Sequence, residues 1–146
     1  LEESAISQVD NQFLKIAGIF GNSLTGNTVL QESMLDLNSM KPWSLRSKKF
    51  DLEHIGQLVY SDLNSLAITK WLDADLYIHL IESEPENSAS IILGPFPEGS
   101  RLQSIFSQDL KPNDRQKNIY LVLKRSIENR QKNEFTFCQS VFKKQS

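Results

Sequence analysis

Apolar side chains recur at intervals of three and four from Ser4 to Phe20. Ala5, Ile6, Val9, Phe13, Ile16, Ala17 and Phe20 share one stripe, and Gln8, Asp10, Asn11 and Gln12 fall opposite it. That spacing predicts an amphipathic helix over 4–20, stopped at Gly21. A short helix is expected from Leu30, Met34, Leu35 and Leu37, ended by Pro42-Trp43, and Ser44 to Lys49 reads as an exposed basic loop. The clearest helical pattern runs over 51–71. There Asp51 stands as N-cap, Glu53 sits in the first turn, and Leu52, Ile55, Leu58, Val59, Leu63, Leu66, Ala67 and Trp71 repeat on one face.

From Asp75 the period falls to two. Leu76, Ile78 and Leu80 alternate with Tyr77, His79 and Ile81, the polar run Glu82 to Asn87 reads as a turn, and Ser90 to Gly94 reads as the returning strand. Pro95-Phe96-Pro97-Glu98-Gly99 interrupts, and Ser100 with Gln103 forms a capping box for a short helix carrying Leu102, Ile105 and Phe106. After a loop from Lys111 to Asn118, the runs 119–125 and 134–141 flank the polar stretch Glu128 to Asn133, with Phe135 and Phe137 on one face. Helices first and hairpins after predict an α+β fold. Its antiparallel sheet has about four or five strands in two hairpins (75–94 and 119–141), covered by N-terminal helices 4–20 and 51–71. No internal repeat is read from the chain.

Composition bounds this picture. A chain of 146 residues fits a single α+β domain over 1–146, and eight Phe, two Trp and three Tyr argue for a packed core. The net charge of −2, with both signs interspersed, favours neither nucleic acid nor an anionic membrane surface. Cys138 is the sole cysteine, which excludes an internal disulfide framework and a multi-cysteine zinc site; it reads as a small apolar strand residue. His54 and His79 are the only histidines and neither has a closely spaced ligand partner, so no metal and no cofactor are expected. Apolar runs are broken by Lys15, Gly18 and Gly21, and no membrane span is expected. The leading Leu reads as the mark of a processed or excised form, and the lack of an N-x-[ST] sequon fits a bacterial or intracellular origin.

One octapeptide approaches a named chemistry. Gly21-Asn22-Ser23-Leu24-Thr25-Gly26-Asn27-Thr28 matches the phosphate-cradling pattern G-x-x-x-x-G-K-[ST] except at the lysine, where Asn27 is neutral. A degenerate nucleotide-binding domain using Gly21 to Thr28 is therefore the third reading. Gly21-x-Ser23 lacks the second glycine of a nucleophile elbow. Asp73 and Asp75 read as solvating a helix-to-strand turn, Glu82, Glu84 and Glu86 as a wet loop tip, and Lys48-Lys49 and Lys143-Lys144 as too short for nucleic acid. Without a catalytic constellation the chain reads as a non-enzyme.

The order of elements, an N-terminal helix, a long helix 51–71 and Leu72-Asp73-Ala74-Asp75-Leu76-Tyr77-Ile78 entering a sheet of hairpins, resembles the extracytoplasmic PAS/Cache-like sensor domains of bacterial membrane receptors. That resemblance implies a non-enzymatic sensory, ligand-binding regulatory domain of a larger receptor, a periplasmic location, and a homodimer formed through the N-terminal helix. A small-molecule ligand is then placed near Tyr77, His79 and Arg125. The alternative is a protein-interaction module of a multi-subunit assembly, cytoplasmic in that case, meeting a partner protein through exposed Trp43, Phe96 and Phe106.

Overall fold

The computed structural model describes residues 3–22, 27–50, 56–83, 86–109, 116–127 and 132–143. Among these residues the chain forms eleven strands and no helix. They are β1 (Glu3–Gln8), β2 (Phe13–Asn22), β3 (Asn27–Asp36), β4 (Lys41–Phe50), β5 (Gln57–Asp62), β6 (Ser65–Leu72), β7 (Asp75–Ser83), β8 (Glu86–Leu93), β9 (Arg101–Asp109), β10 (Gln116–Ile127) and β11 (Lys132–Lys143). Each pairing is antiparallel and joins strands consecutive in sequence. The result is three meanders: a first sheet β1-β2-β3-β4, a second β5-β6-β7-β8 and a third β9-β10-β11.

The fold is all-β, which overturns the α+β expectation. The stretch read as a helix over 4–20 is β1, a turn and β2. Of the helix expected over 51–71, residues 51–55 lie outside the described residues, and β5 and β6 occupy the rest. Leu30 to Leu35 belong to β3, the expected basic loop belongs to β4, and the segment after Ser100 is β9. In place of one sheet of about four or five strands built from two hairpins beneath helices, β7 pairs with β8 and β10 with β11 in two separate sheets.

Carboxylate-centred turns explain the difference. Asp10 Oδ1 accepts the amides of Gln12 and Phe13 at 2.8 and 2.9 Å, Asp36 Oδ1 accepts that of Asn38 at 2.9 Å, and Asp62 Oδ1 accepts that of Asn64 at 2.8 Å. A short acidic side chain that captures an amide two residues on reverses the chain before a helix can propagate. The tetrapeptide Asp-Leu-Asn-Ser occurs twice, at 36–39 and 62–65, and both copies close hairpins, β3–β4 and β5–β6.

The sheets stack as three layers with the second in the middle. Ala17, Ile19 and Leu30 of the first sheet pack on Leu58, Leu66, Ile68 and Ile81 of the second. From the other side, Ala67, Leu76, Ile78 and Leu80 meet Leu102, Ile105, Ile119, Leu121 and Leu123 of the third. Burying such a side chain fully contributes about 1.5–3 kcal/mol, so the two seams hold most of the apolar driving force. The backbones of neighbouring sheets meet along their leading strands, β1 against β5 and β5 against β9, and the second and third sheets also meet at β8 and β11.

The connection from β8 to β9 is fixed by packing. Phe96 is 9% exposed, sits edge-on to Trp71 with ring centroids 5.9 Å apart, and donates its amide to the Ala74 carbonyl at 2.9 Å. Gly94 reaches this position with φ at +143°, and a Cβ there would lie 3.1 Å from the same carbonyl oxygen. Only glycine accepts both the dihedral and the close approach.

Candidate functional site

Buried ionic contacts pin the three layers together and set which faces remain outside. In the first seam Glu32 of β3, 2% exposed, accepts from Arg46 Nε of β4 at 3.0 Å and from the Tyr60 hydroxyl of β5 at 2.6 Å. Burial, reinforced by that hydrogen bond and the Glu32 charge, raises the Tyr60 pKa well above the usual phenolic range. In the second seam Lys117 of β10, also 2% exposed, places Nζ 2.6 Å from Asp62 of β5, 3.3 Å from Glu82 of β7 and 3.6 Å from Asp109 of β9. Burial works to raise the Asp62 pKa, but hydrogen bonds from Lys117, Ser107 and the Asn64 amide outweigh it and hold the carboxyl below its ordinary value. The Ser107 hydroxyl of β9 also lies 2.8 Å from the Ser61 hydroxyl of β5. Buried charges of this kind are tolerated because they are paired, and their geometry fixes how the sheets register.

With the inner faces committed, strand alternation turns the other side chains of the two outer sheets toward solvent. On the third sheet these include Phe106 of β9, Tyr120 and Val122 of β10, and Phe137 and Val141 of β11. Tyr120 lies opposite Phe106, stacked at a centroid distance of 6.1 Å, and its other neighbour is Phe137, also at 6.1 Å. Phe106, Phe135 and Phe137 are 54%, 62% and 66% exposed. Three aromatic rings thus form a ladder across three strands with one side open to solvent. The outer face of the first sheet is also apolar: Ile6 is registered with Ile16, Leu14 with Leu35, and Phe20 with Val29.

The residues singled out from the sequence fall in several places. Tyr77 and His79 do come together on β7, where both side chains reach the Ser90 hydroxyl of β8, at 2.9 and 2.7 Å. Burial first, then the positive charge of Lys48, lowers the His79 pKa. Arg125 stands apart on the third sheet, paired with Glu134 at 2.8 Å, so the three do not line one pocket. Of the expected contact residues, Phe106 belongs to the ladder, and Trp43 is half-exposed against Phe13 with centroids 5.7 Å apart. Phe96 is a core residue rather than an exposed one. Cys138 lies half-buried against the core of the second seam.

Other expectations also change. Residues 23–26 lie outside the described residues, but Gly21 is registered with Thr28, so the octapeptide joins β2 to β3 in a hairpin. A phosphate loop of that type needs a helix N-terminus after Thr28, and strand β3 stands there instead. β1 and β2 occupy the stretch 4–20, so among the described residues no helix stands there to carry a homodimer. Asp73 lies in the β6–β7 turn and Asp75 opens β7, so the pair stands between two strands rather than between a helix and a strand. Among the described residues no three His, Cys, Asp or Glu are arranged to hold a metal ion, and no helix is long and apolar enough to cross a membrane.

The sequence reading missed Tyr120 and undervalued Phe137. The signal was present in Ile119-Tyr120-Leu121-Val122-Leu123, a strand apolar on both faces, which is a pattern for a strand covered on both sides. Comparison with protein-family models, with curated proteins and with solved structures finds no match for this chain.

Proposed function

We propose that the chain is a protein-interaction module of a larger assembly, built from consecutive blades of a propeller-like array. Three features support the blade reading: each sheet is a meander, successive sheets stack face to face, and their leading strands run side by side. The observation that carries the interaction reading is the open ladder Phe106–Tyr120–Phe137 on the outer face of the third sheet. Aromatic side chains exposed as a contiguous patch on a rigid sheet offer large contact area at low entropic cost, and such patches mark protein contacts. The charges that register places on this face, Arg101, Lys124 and Lys143, stand toward the ends of their strands, outside the ladder itself.

Site-specific photo-crosslinking tests this reading. A benzophenone side chain in place of Phe137, in the protein as made in its own cells, is expected to give a discrete protein adduct whose yield falls when Phe106→Ser is added. The same probe at Glu98, an exposed position in the β8–β9 connection, is the control. Equal, low yields at both positions would overturn the proposal.

A further inference from the structure

Where β9 begins and β10 nears its end, beyond the aromatic ladder, the third sheet carries a polar hollow of about 460 Å³ lined by Gly99, Arg101, Gln103, Lys124 and Ser126. Two backbone features shape it. Ser100 donates its amide to the Pro97 carbonyl at 3.1 Å, closing a turn in which Gly99 holds φ at +85°, so the rim bears no side chain there. The pairing of β9 with β10 then shifts by one residue: Ser104 is registered with Val122 and Leu102 with Leu123, which leaves Gln103 as the extra residue of a β-bulge. Bulges re-aim side chains, and here Gln103 lines the hollow together with Arg101.

Arg101 and Lys124 stand directly opposite each other across the two strands. Like charges in that position repel and weaken a strand pair. Among the described residues neither has a carboxylate within ion-pairing distance, for the acids of this sheet are engaged elsewhere, Asp109 with Lys117 and Glu134 with Arg125. The lining therefore offers two cations, an amide and a hydroxyl, and no negative charge to offset them. We propose that the hollow binds a phosphate monoester, its dianion seated between the Arg101 guanidinium and the Lys124 ammonium and its remaining polar groups met by Gln103 and Ser126. The Ser126 hydroxyl is held only by a long 3.4 Å contact to Asn133 Oδ1, which a ligand oxygen can replace.

Charge and size select this ligand class. A phosphate monoester carries about −1.5 to −2 at neutral pH, which matches two cations where a single carboxylate leaves one uncompensated. The planar guanidinium can bond two phosphate oxygens at once, and the ammonium adds a point charge from the facing strand. The volume falls within the roughly 300–1,000 Å³ of small-molecule sites, so the organic part of an ester fits beside its phosphate. A free small molecule and a phosphorylated side chain of another protein share this chemistry. Neither depends on the aromatic ladder, and the site goes beyond the interaction reading.

Nitrogen-15 NMR of the full chain, titrated in low-salt buffer with inorganic phosphate, a hexose phosphate and N-acetyl-phosphoserine amide, tests the proposal. Saturable shifts are expected at Gly99, Arg101, Gln103, Lys124 and Ser126, and sodium chloride at matched ionic strength should not reproduce them. Arg101→Gln and Lys124→Gln are each expected to weaken binding about tenfold, whereas Lys143→Gln, which removes a cation from the other end of the same face, should leave it unchanged. Removing either opposed cation also relieves their repulsion. Each of those two variants should therefore show a higher urea midpoint than the unsubstituted chain in phosphate-free buffer, and a smaller rise when phosphate is added. Tighter binding of the hexose phosphate supports the site as one for a free small molecule, and tighter binding of the phosphoserine amide supports it as one for a phosphorylated partner. No saturable shift with any of the three probes overturns the proposal, as do shifts that chloride matches or that both substitutions leave intact.

Discussion

Lys117 shows what a single residue can hold. It donates to Asp62 and faces Glu82 and Asp109 from a position with almost no solvent, so removing its charge strands carboxylates in a dry seam. Lys117→Met is expected to lower stability by about 3 kcal/mol in urea unfolding, the lower end for breaking a buried pair because Asp109 is half in water. A loss under about 1 kcal/mol would mean that the cluster relaxes or takes up water. Titration extends the same logic. The folded Asp62 carboxyl ionises more readily than in the unfolded chain, so its contribution is complete above a pH of about 3.9 and fades as pH falls through its lower folded value. His79 is held unprotonated, so its contribution is present above a pH of about 6.5 and is lost as pH falls below that. Both act in one direction, and urea midpoints measured from pH 8 to pH 3 should decline in two stages, with His79→Gln flattening the upper one. Tyr60 acts at the other end of the scale: its pKa is raised by folding, so stability is full below a pH of about 10 and falls above it, a decline that Tyr60→Phe should remove.

Strands set apart by burial should also be set apart by dynamics. β6 and β7 are central in the second sheet and covered on both faces, whereas β4 is an exposed edge. Native-state hydrogen exchange should therefore find the slowest amides on β6 and β7 and faster ones on β4; the reverse order would contradict the layered stack. Ile68→Ala, inside β6, should cost about 3 kcal/mol, whereas Phe137→Ala on the open face should stay within about 0.5 kcal/mol. The same double burial is why the sequence misled. A strand covered on both sides carries Leu66-Ala67-Ile68 as an unbroken apolar run, and together with Leu58, Val59 and Trp71 that run coincides with helical spacing. Alternation was legible from Asp75 onward, where Tyr77, His79 and their neighbours keep a period of two. The strand ends were hidden because Asp10, Asp36 and Asp62 reverse the chain without the Gly or Pro that usually announces a turn. Phe106 could be picked out from the sequence, but Tyr120 could not be placed beside it until the register of β9 with β10 was known.

At the scale of the molecule, stability is shared between two seams that have only the second sheet in common. Removal of residues 101–146 is expected to leave Ala67, Leu76 and Ile78 facing water, and the remaining piece should precipitate or bind bis-ANS strongly; a soluble, dye-silent fragment would show that the first two sheets suffice alone. The middle sheet also sets a timetable for synthesis. Its last strand ends at Leu93 and the strand that completes its cover ends at Lys143, about fifty residues later. At roughly 5–20 residues per second, the ribosome leaves one face of that sheet bare for about 3–10 s in every round of translation. For that interval the growing chain is an aggregation hazard, and chaperones that bind apolar nascent segments should be found on it most heavily between the emergence of β8 and that of β11.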